Sequence, residues 1–598
     1  MPWRRLNRHE TCTIGLAGPV APLDSTAAAD RTIDDFFNTF SDEWVGYDPN
    51  LATRAHYFSG NEQDRLERQS TPYWDRDWLL GRIRLAKKGL AKLRRFERAR
   101  LSEIQRVSAD LMEWQLDMLV REQPFLDYIF PIQQMFGANV NLVESLTVTH
   151  PLQTERDAEN YNAVLGLMRL RMEEAIALSA RQAAKNIVPP KFILEATIRQ
   201  MQSFADYPPA QNPLASRLAQ KLASMKDLCG TSRSALLAAA EKIVSAQVYP
   251  AWRRAIGCLQ SQMPRSSDNA GLWSLKNGGE AYAHFLEHYT TTRLKPEEIH
   301  EIGLGQGAAI EHEMDSLFRQ LGRTSGSVKE RIEKLRADLQ YPNPTSEASR
   351  EQIMRDIEDI LADAARRSAL LFDLRPKTPV VAQAFPTFRE NNAAANYYPP
   401  SPDGSRPGTF LYPRRPSHMT KFGLRSLIYH ETVPGHHFQL AYEMENKVLP
   451  RFRRVFALGR ISALSEGWAL YAEHLAAESG WYEGDIEGRL GELYWELLRG
   501  RRLVVDTGIH AKHWTRQQGI DYGIEPSEVE RYTVLPGQAC SYMIGELKII
   551  DLREKARKAL TDRFSIREYH NQVVQAGTVP LIVLEGEIDA WISSQQMP

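Results

Sequence analysis

The strongest constraint on this chain is one periodicity: apolar residues recur every three or four positions over most of its 598 residues. Segments 82–122, 155–184, 234–248 and 296–321 all carry that spacing, which puts one apolar stripe on a helix of 3.6 residues per turn. Prolines punctuate the pattern. Pro189-Pro190 and Pro208-Pro209 separate helical stretches, and Pro296 followed by Glu297 and Glu298 opens another. The first position of a helix does not need the missing amide, and acids suit the positive end of the dipole. One interval departs from the pattern. Between Thr378 and Pro416, the residues Val380, Val381, Asn396, Tyr397, Tyr398, Phe410 and Tyr412 read as short strands, with Pro402, Asp403, Gly404 and Gly408 as turn residues. The expectation is a mainly α protein, with two helical layers flanking a cleft and a small antiparallel β-sheet just before the main motif. Residues 1–30 are expected to form a poorly ordered tail, and 31–598 a single helical domain.

Composition narrows the function classes. The 74 Lys and Arg residues nearly cancel the 75 Asp and Glu residues, leaving a net charge of -1, so no nucleic-acid partner is expected. The basic run Lys87, Lys88, Lys92, Arg94, Arg95 and Arg98 is interleaved with Leu80, Leu85, Leu90, Leu93 and Phe96. That reads as a solvated helix face. Cys12, Cys229, Cys258 and Cys540 are too scattered for a disulfide framework or a metal knuckle. No apolar run approaches the roughly 20 residues a membrane span needs. Arg4 and Arg5 precede a mildly apolar stretch at 13–23, but Gly15, Gly18, Pro19 and Pro22 break it up more than a secretory h-region tolerates. A cytoplasmic protein is expected, with export as the alternative.

The chemistry concentrates in one segment, Leu427-Ile-Tyr-His430-Glu431-Thr-Val-Pro434-Gly435-His436-His437. Neutral imidazoles are common zinc ligands, and a glutamate after the first histidine is the metallopeptidase arrangement for a general base. In HExxH the two histidines stand four apart on one helix face. Here His430 and His436 stand six apart, which an ideal helix would turn away from each other. Pro434 and Gly435 predict a helix bulge that brings His436 back. His437 returns to the same face but about 10 Å further along the axis, so His436 is the preferred second ligand. The third ligand is sought downstream in Ser465-Glu466-Gly467-Trp468-Ala469-Leu470-Tyr471-Ala472-Glu473. Glu466, followed by a glycine that admits a close backbone neighbour, is the chosen ligand. Glu473, seven residues on, suits the outer acceptor for a histidine N–H.

The segments HETVPGHHFQ, SEGWALYAE and RYTVLPGQACSYMIGELKIIDLREKAR resemble the bacterial family catalogued as domain of unknown function 885, whose members are predicted zinc peptidases. GLWSLKNGGEAYAHFLEHYTTTRLKPEEIHEIGLGQ and YHNQVVQAGTVPLIVLE are similar to it as well, so the resemblance spans most of the chain after about Asp30. More distantly the chain resembles carboxypeptidase Taq and angiotensin-converting enzyme, which implies a two-lobed helical body around a deep cleft, with the zinc motifs in 377–598. The EGWA segment resembles the glutamate-bearing motif of zinc aminopeptidases, which supports Glu466. The resemblance also implies an oxyanion donor from a late helix: Tyr542, with Tyr532 competing.

Arg531 would grip a substrate carboxylate, and Tyr532, Tyr397 and Tyr398 complete the expected substrate-binding group. An edge near 391–398 could add the substrate as an extra strand. Asp506 and His510, four apart on one helix, would either support the metal site or pair with each other. The expected activity is that of a zinc-dependent hydrolase with one Zn2+ ion, a peptidase cleaving short peptides by Glu431-assisted attack of water. A zinc amidase acting on a small metabolite and a non-catalytic scaffold are the alternatives. Oligomeric state is left open, a homodimer included.

Overall fold

A computed structural model describes residues 32–343, 346–385, 395–401, 406–414 and 419–596. The expected tail at 1–30 lies outside the described residues, as do Asn391, Pro402, Asp403 and Gly404 of the expected sheet region.

The periodic segments form helices, and their ends follow from local chemistry. Glu155–Ala184 is a single helix whose Thr154 side chain caps Asp157 N, with the Asp157 side chain returning the bond. Pro296 is the first residue of the helix Pro296–Gln320, and Glu298 accepts from Lys295 N at 2.7 Å. Segment 82–122 divides into two helices, Arg76–Leu93 and Glu103–Arg121. A Ser102–Gln105 capping box starts the second, satisfying amides that would otherwise be orphaned. The basic run faces outward and pairs with acids: Lys88 with Glu43, Arg94 with Glu113, and Arg98 with Asp110. Gly523, at φ +104°, makes the turn between Arg516–Asp521 and Pro526–Val534.

The small sheet differs from expectation. Strands β1 (Val380–Ala384), β2 (Asn396–Tyr398) and β3 (Gly408–Tyr412) lie in the order β1-β3-β2, with β1 parallel and β2 antiparallel to β3. The sheet is mixed rather than antiparallel. Residues 385–407 separate β1 from β3 in the sequence, a spacing long enough for a parallel pair, whereas β3 follows β2 closely enough for an antiparallel one.

The largest apolar core gathers residues distant in sequence. Phe37 of the helix Ile33–Gly46 packs at a tilt against Phe452, ring centroids 5.3 Å apart, and Trp44 Nε1 donates to Ala457 O at 3.0 Å. The start of the described chain is thereby fastened to the half that carries the HE segment. A second core is built within residues 132–263 around Tyr161, Met168 and Trp252. Among the described residues no helix is long and apolar enough to cross a membrane.

Six helices position the site: α1 (Leu424–Glu431), α2 (His436–Glu445), α3 (Ser462–Glu478), α4 (Ile486–Ala511), α5 (Pro526–Val534) and α6 (Ser541–Leu560). Helices α3 and α6 cross in close backbone contact. A Cβ at Gly467 would lie 2.5 Å from Gly545 Cα, and one at Gly545 would lie 1.8 Å from Ala463 O. The close approach anticipated after Glu466 is therefore present, and its partner is another glycine.

Candidate metal centre

The predicted bulge is a full interruption, with α1 ending at Glu431 and α2 beginning at His436. Gly435 N donates to Tyr429 O at 3.0 Å, and Phe438 N to Thr432 O at 3.2 Å. Each bond spans six residues where a helix spans four, so two extra residues pass through this turn. His430 and His436 consequently stand to each other as i and i+4 would on an unbroken helix. Glycine is required at 435 because a Cβ there would sit 2.0 Å from His430 O. Trp468 of α3 secures the link by donating its indole N–H to Pro434 O at 2.9 Å.

His430, His436 and Glu466 come together, with ligand atoms within 4.8 Å of one another. Glu466 Oε2 lies 3.6 Å from His430 Nε2 and 3.3 Å from His436 Nε2. Ligands about 2.1 Å from a tetrahedral zinc ion are separated by about 3.4 Å, and both separations from Glu466 match that figure. Both histidines are buried, and Glu466 remains partly open to solvent.

Behind this trio stands Glu473, 1 % exposed. Its Oε1 lies 2.7 Å from His430 Nδ1 and 3.4 Å from an Arg499 nitrogen, and its Oε2 accepts from Ser426. This is the outer-acceptor position expected for Glu473; it orients the ring so that Nε2 faces Glu466. Burial works against charge on His430, but hydrogen bonds to Glu466 and Glu473 outweigh it and hold its pKa up at about 9. Burial likewise opposes charge on Glu466, yet His436 and His430 pull its carboxyl well below the ordinary range. Glu431 is raised, because burial exceeds the pull of the same two histidines.

His437 is turned elsewhere. Its Nδ1 meets the Tyr397 hydroxyl at 2.9 Å and its Nε2 donates to Thr378 O at 3.1 Å, so it ties α2 to the sheet. Tyr397 is thus committed to His437, and Tyr398 lies beside it on strand β2. Among the described residues strand β2 pairs only with β3, at one edge of the sheet.

Tyr542 lies with its ring nearly parallel to that of His430, centroids 6.5 Å apart, and Arg502 covers its face at 4.4 Å. Tyr532 is fully buried; its hydroxyl receives Arg502 Nε at 3.2 Å and donates to Glu528 at 3.1 Å. Arg531 makes two bonds to Glu528, at 3.1 and 2.9 Å, and a third to Gln538, so its guanidinium is already occupied. Asp506 and His510 do not pair with each other. Asp506 accepts from Tyr282 and Gly537 N, while His510 bridges Leu272 N and Tyr532 O.

Sequence reasoning missed several neighbours. Arg499 and Arg502 are buried on α4, and Ser426 meets Glu473 from one turn before His430. Charged residues on an otherwise apolar helix face were the available signal. Arg460 lies within electrostatic reach of Glu466, Tyr397 and Glu431; desolvation of its guanidinium lowers its pKa against the pull of those three groups. It makes no hydrogen bond or ion pair among the described residues.

The profile of the family described as a bacterial protein of unknown function (DUF885) matches residues 49–588. This chain belongs to DUF885. The DUF885 chain is similar to a solved structure from Colwellia psychrerythraea described as a proposed lipoprotein. The two are 28% identical, with a TM-score of 0.89 over 95% of this chain and 100% of that one. A second solved structure, from Shewanella oneidensis, is described as a proposed lipoprotein of unknown function. It is 19% identical, with a TM-score of 0.69 over 93% of this chain and 99% of that one, and it bears on the DUF885 fold alone. No curated protein is significantly similar.

Proposed function

We propose that this protein is a zinc-dependent hydrolase, a peptidase acting on short peptides. The observation that carries the reading is the convergence of His430, His436 and Glu466, with Glu466 Oε2 3.6 and 3.3 Å from the two imidazole Nε2 atoms. Glu473 fixes the orientation of His430 behind them. Held by these three side chains, zinc would supply a Lewis acid that polarises a carbonyl and acidifies water. The chain's own groups then do the rest. Glu431, with its pKa raised by burial, takes the proton of the attacking water on its carboxylate and returns it to the leaving amine. The Tyr542 hydroxyl has no hydrogen-bond partner among the described residues, which leaves it free to donate to a developing oxyanion. For a substrate carboxylate the unpaired Arg460 is better placed than the occupied Arg531. A two-lobed cleft like that of carboxypeptidase Taq belongs to the same proposal, as does a single domain from residue 31 onward.

For location, the lipoprotein description of the Colwellia relative supports export over the cytoplasmic expectation. Recovery of the native protein solely with the cytoplasmic fraction would reverse that. The activity is tested with a peptide library read by mass spectrometry. Wild-type protein should yield products that a chelator abolishes, and Glu431→Gln should keep its zinc while losing about 10²–10⁴-fold in rate. Undiminished cleavage by a zinc-loaded Glu431→Gln variant would sink the assignment. Cleavage of small amides but no peptides would redirect it to an amidase.

A further inference from the structure

The three longest helices of the site meet a second time. His474 of α3, Glu496 of α4 and Glu546 of α6 offer ligand atoms that all lie within 4.8 Å of one another. The Gly467–Gly545 crossing brings this about, since it presses the backbone of Glu546 against α3; a Cβ on Gly467 would lie 2.7 Å from Glu546 N.

Glu546 is 1 % exposed, and neither of its carboxylate oxygens has a hydrogen-bond partner. His474 is equally incomplete. Its Nε2 lies 3.3 Å from Glu478, but its Nδ1 is buried without a partner. Glu492, one turn before Glu496, adds a further buried carboxylate, held on one oxygen by Arg489. A buried carboxylate with both oxygens unsatisfied costs several kcal/mol unless something neutralises it. Protons do so only in part: one shared between Glu546 and Glu496 leaves His474 Nδ1 without a partner, and one on His474 Nδ1 serves a single carboxylate, whereas a cation engages all three groups. One imidazole with two carboxylates is a donor set for a borderline divalent ion. His474 keeps about a quarter of its side-chain surface exposed (24 %), which provides an entry path.

We propose that His474, Glu496 and Glu546 form a second divalent metal site of zinc-like preference, separate from His430, His436 and Glu466, which pins α3, α4 and α6 together. The proposal does not depend on hydrolytic activity.

The test uses full-length protein stripped with a chelator, dialysed against zinc and assayed for zinc per chain, with circular dichroism to verify folding. Wild type should hold two ions, and Glu546→Gln, His474→Ala and His436→Ala should hold one each. The double variant Glu546→Gln/His436→Ala should hold none. Zinc should also raise the melting temperature of His436→Ala, in which only the second site remains. Zinc content unchanged by Glu546→Gln and His474→Ala, or no zinc-dependent melting shift in His436→Ala, would overturn the site and leave a shared proton as the neutralising agent. A single wild-type ion lost with Glu546→Gln but kept in His436→Ala would uphold this site while removing the proposed hydrolase centre.

Discussion

At the scale of single residues, the two acids of α3 divide one histidine between them. Glu466 faces His430 Nε2 at 3.6 Å, and Glu473, two turns on, meets Nδ1 of the same ring at 2.7 Å. Seven residues return a helix to nearly the same face, so both acids point to α1, and the ring between them decides which is ligand and which is support. Replacing Glu473 by Gln keeps the shape but removes the charge that holds the Nδ1 proton. The expected result is a 10–100-fold loss of zinc affinity, measured by competition with a chelating dye. Unchanged affinity would reduce Glu473 to a packing residue. His430, Glu431 and the downstream acid were legible from residue type and order. The fate of His437 was not, because its partners, Tyr397 and Thr378, come from a strand and a loop far back in the chain.

At the scale of elements, the site depends on an interruption and a crossing. The turn at 432–435 inserts two residues between α1 and α2, and its six-residue hydrogen bonds restore the spacing of a helical His pair. Pro434-Gly435 in the sequence announced a departure from the helix but not its extent, which depends on the anchor that Trp468 provides. The crossing of α3 and α6 requires glycine on both sides. Gly467→Ala is expected to lower stability by about 1–3 kcal/mol through overpacking, read from urea unfolding. It should also reduce zinc binding, because Glu466 and Glu546 are both carried on the displaced backbones. A variant as stable as wild type would show that the two helices can separate freely. In the sheet, strand-forming residues identified the strands, whereas the parallel pairing of β1 with β3 joins residues too far apart in sequence for a local rule to fix.

At the scale of the whole molecule, buried histidines link stability to pH. His510 is 1 % exposed; it accepts from Leu272 N through Nδ1 and donates to Tyr532 O through Nε2, which fixes a neutral tautomer. Burial lowers its pKa to about 4 from 6.5. His570 is held in the same way between Leu371 O and the Tyr471 hydroxyl, and burial lowers it to about 4 as well. Between pH 6.5 and 4 the unfolded chain binds protons that the folded chain refuses, so the stability present above 6.5 is lost as pH falls. For His510 the loss by pH 5 is about 2 kcal/mol. Replacing His510 by Asn, which does not titrate, should therefore shrink the fall in melting temperature between pH 7 and pH 5. An equal fall in variant and wild type would show that His510 protonates in the fold.

The mainly helical architecture and the principal cluster were written locally. Periodicity, caps and the HE segment with its downstream acid act through neighbours a few residues away, and such interactions are present in the chain before it folds. What only the tertiary structure decided involves groups distant in sequence: the occupancy of Arg531 and Tyr532, the commitment of His437 to the sheet, and the meeting of His474, Glu496 and Glu546. Those outcomes depend on which helix faces are pressed together. Close packing of α3, α4 and α6 settles that, and no short-range rule contains it.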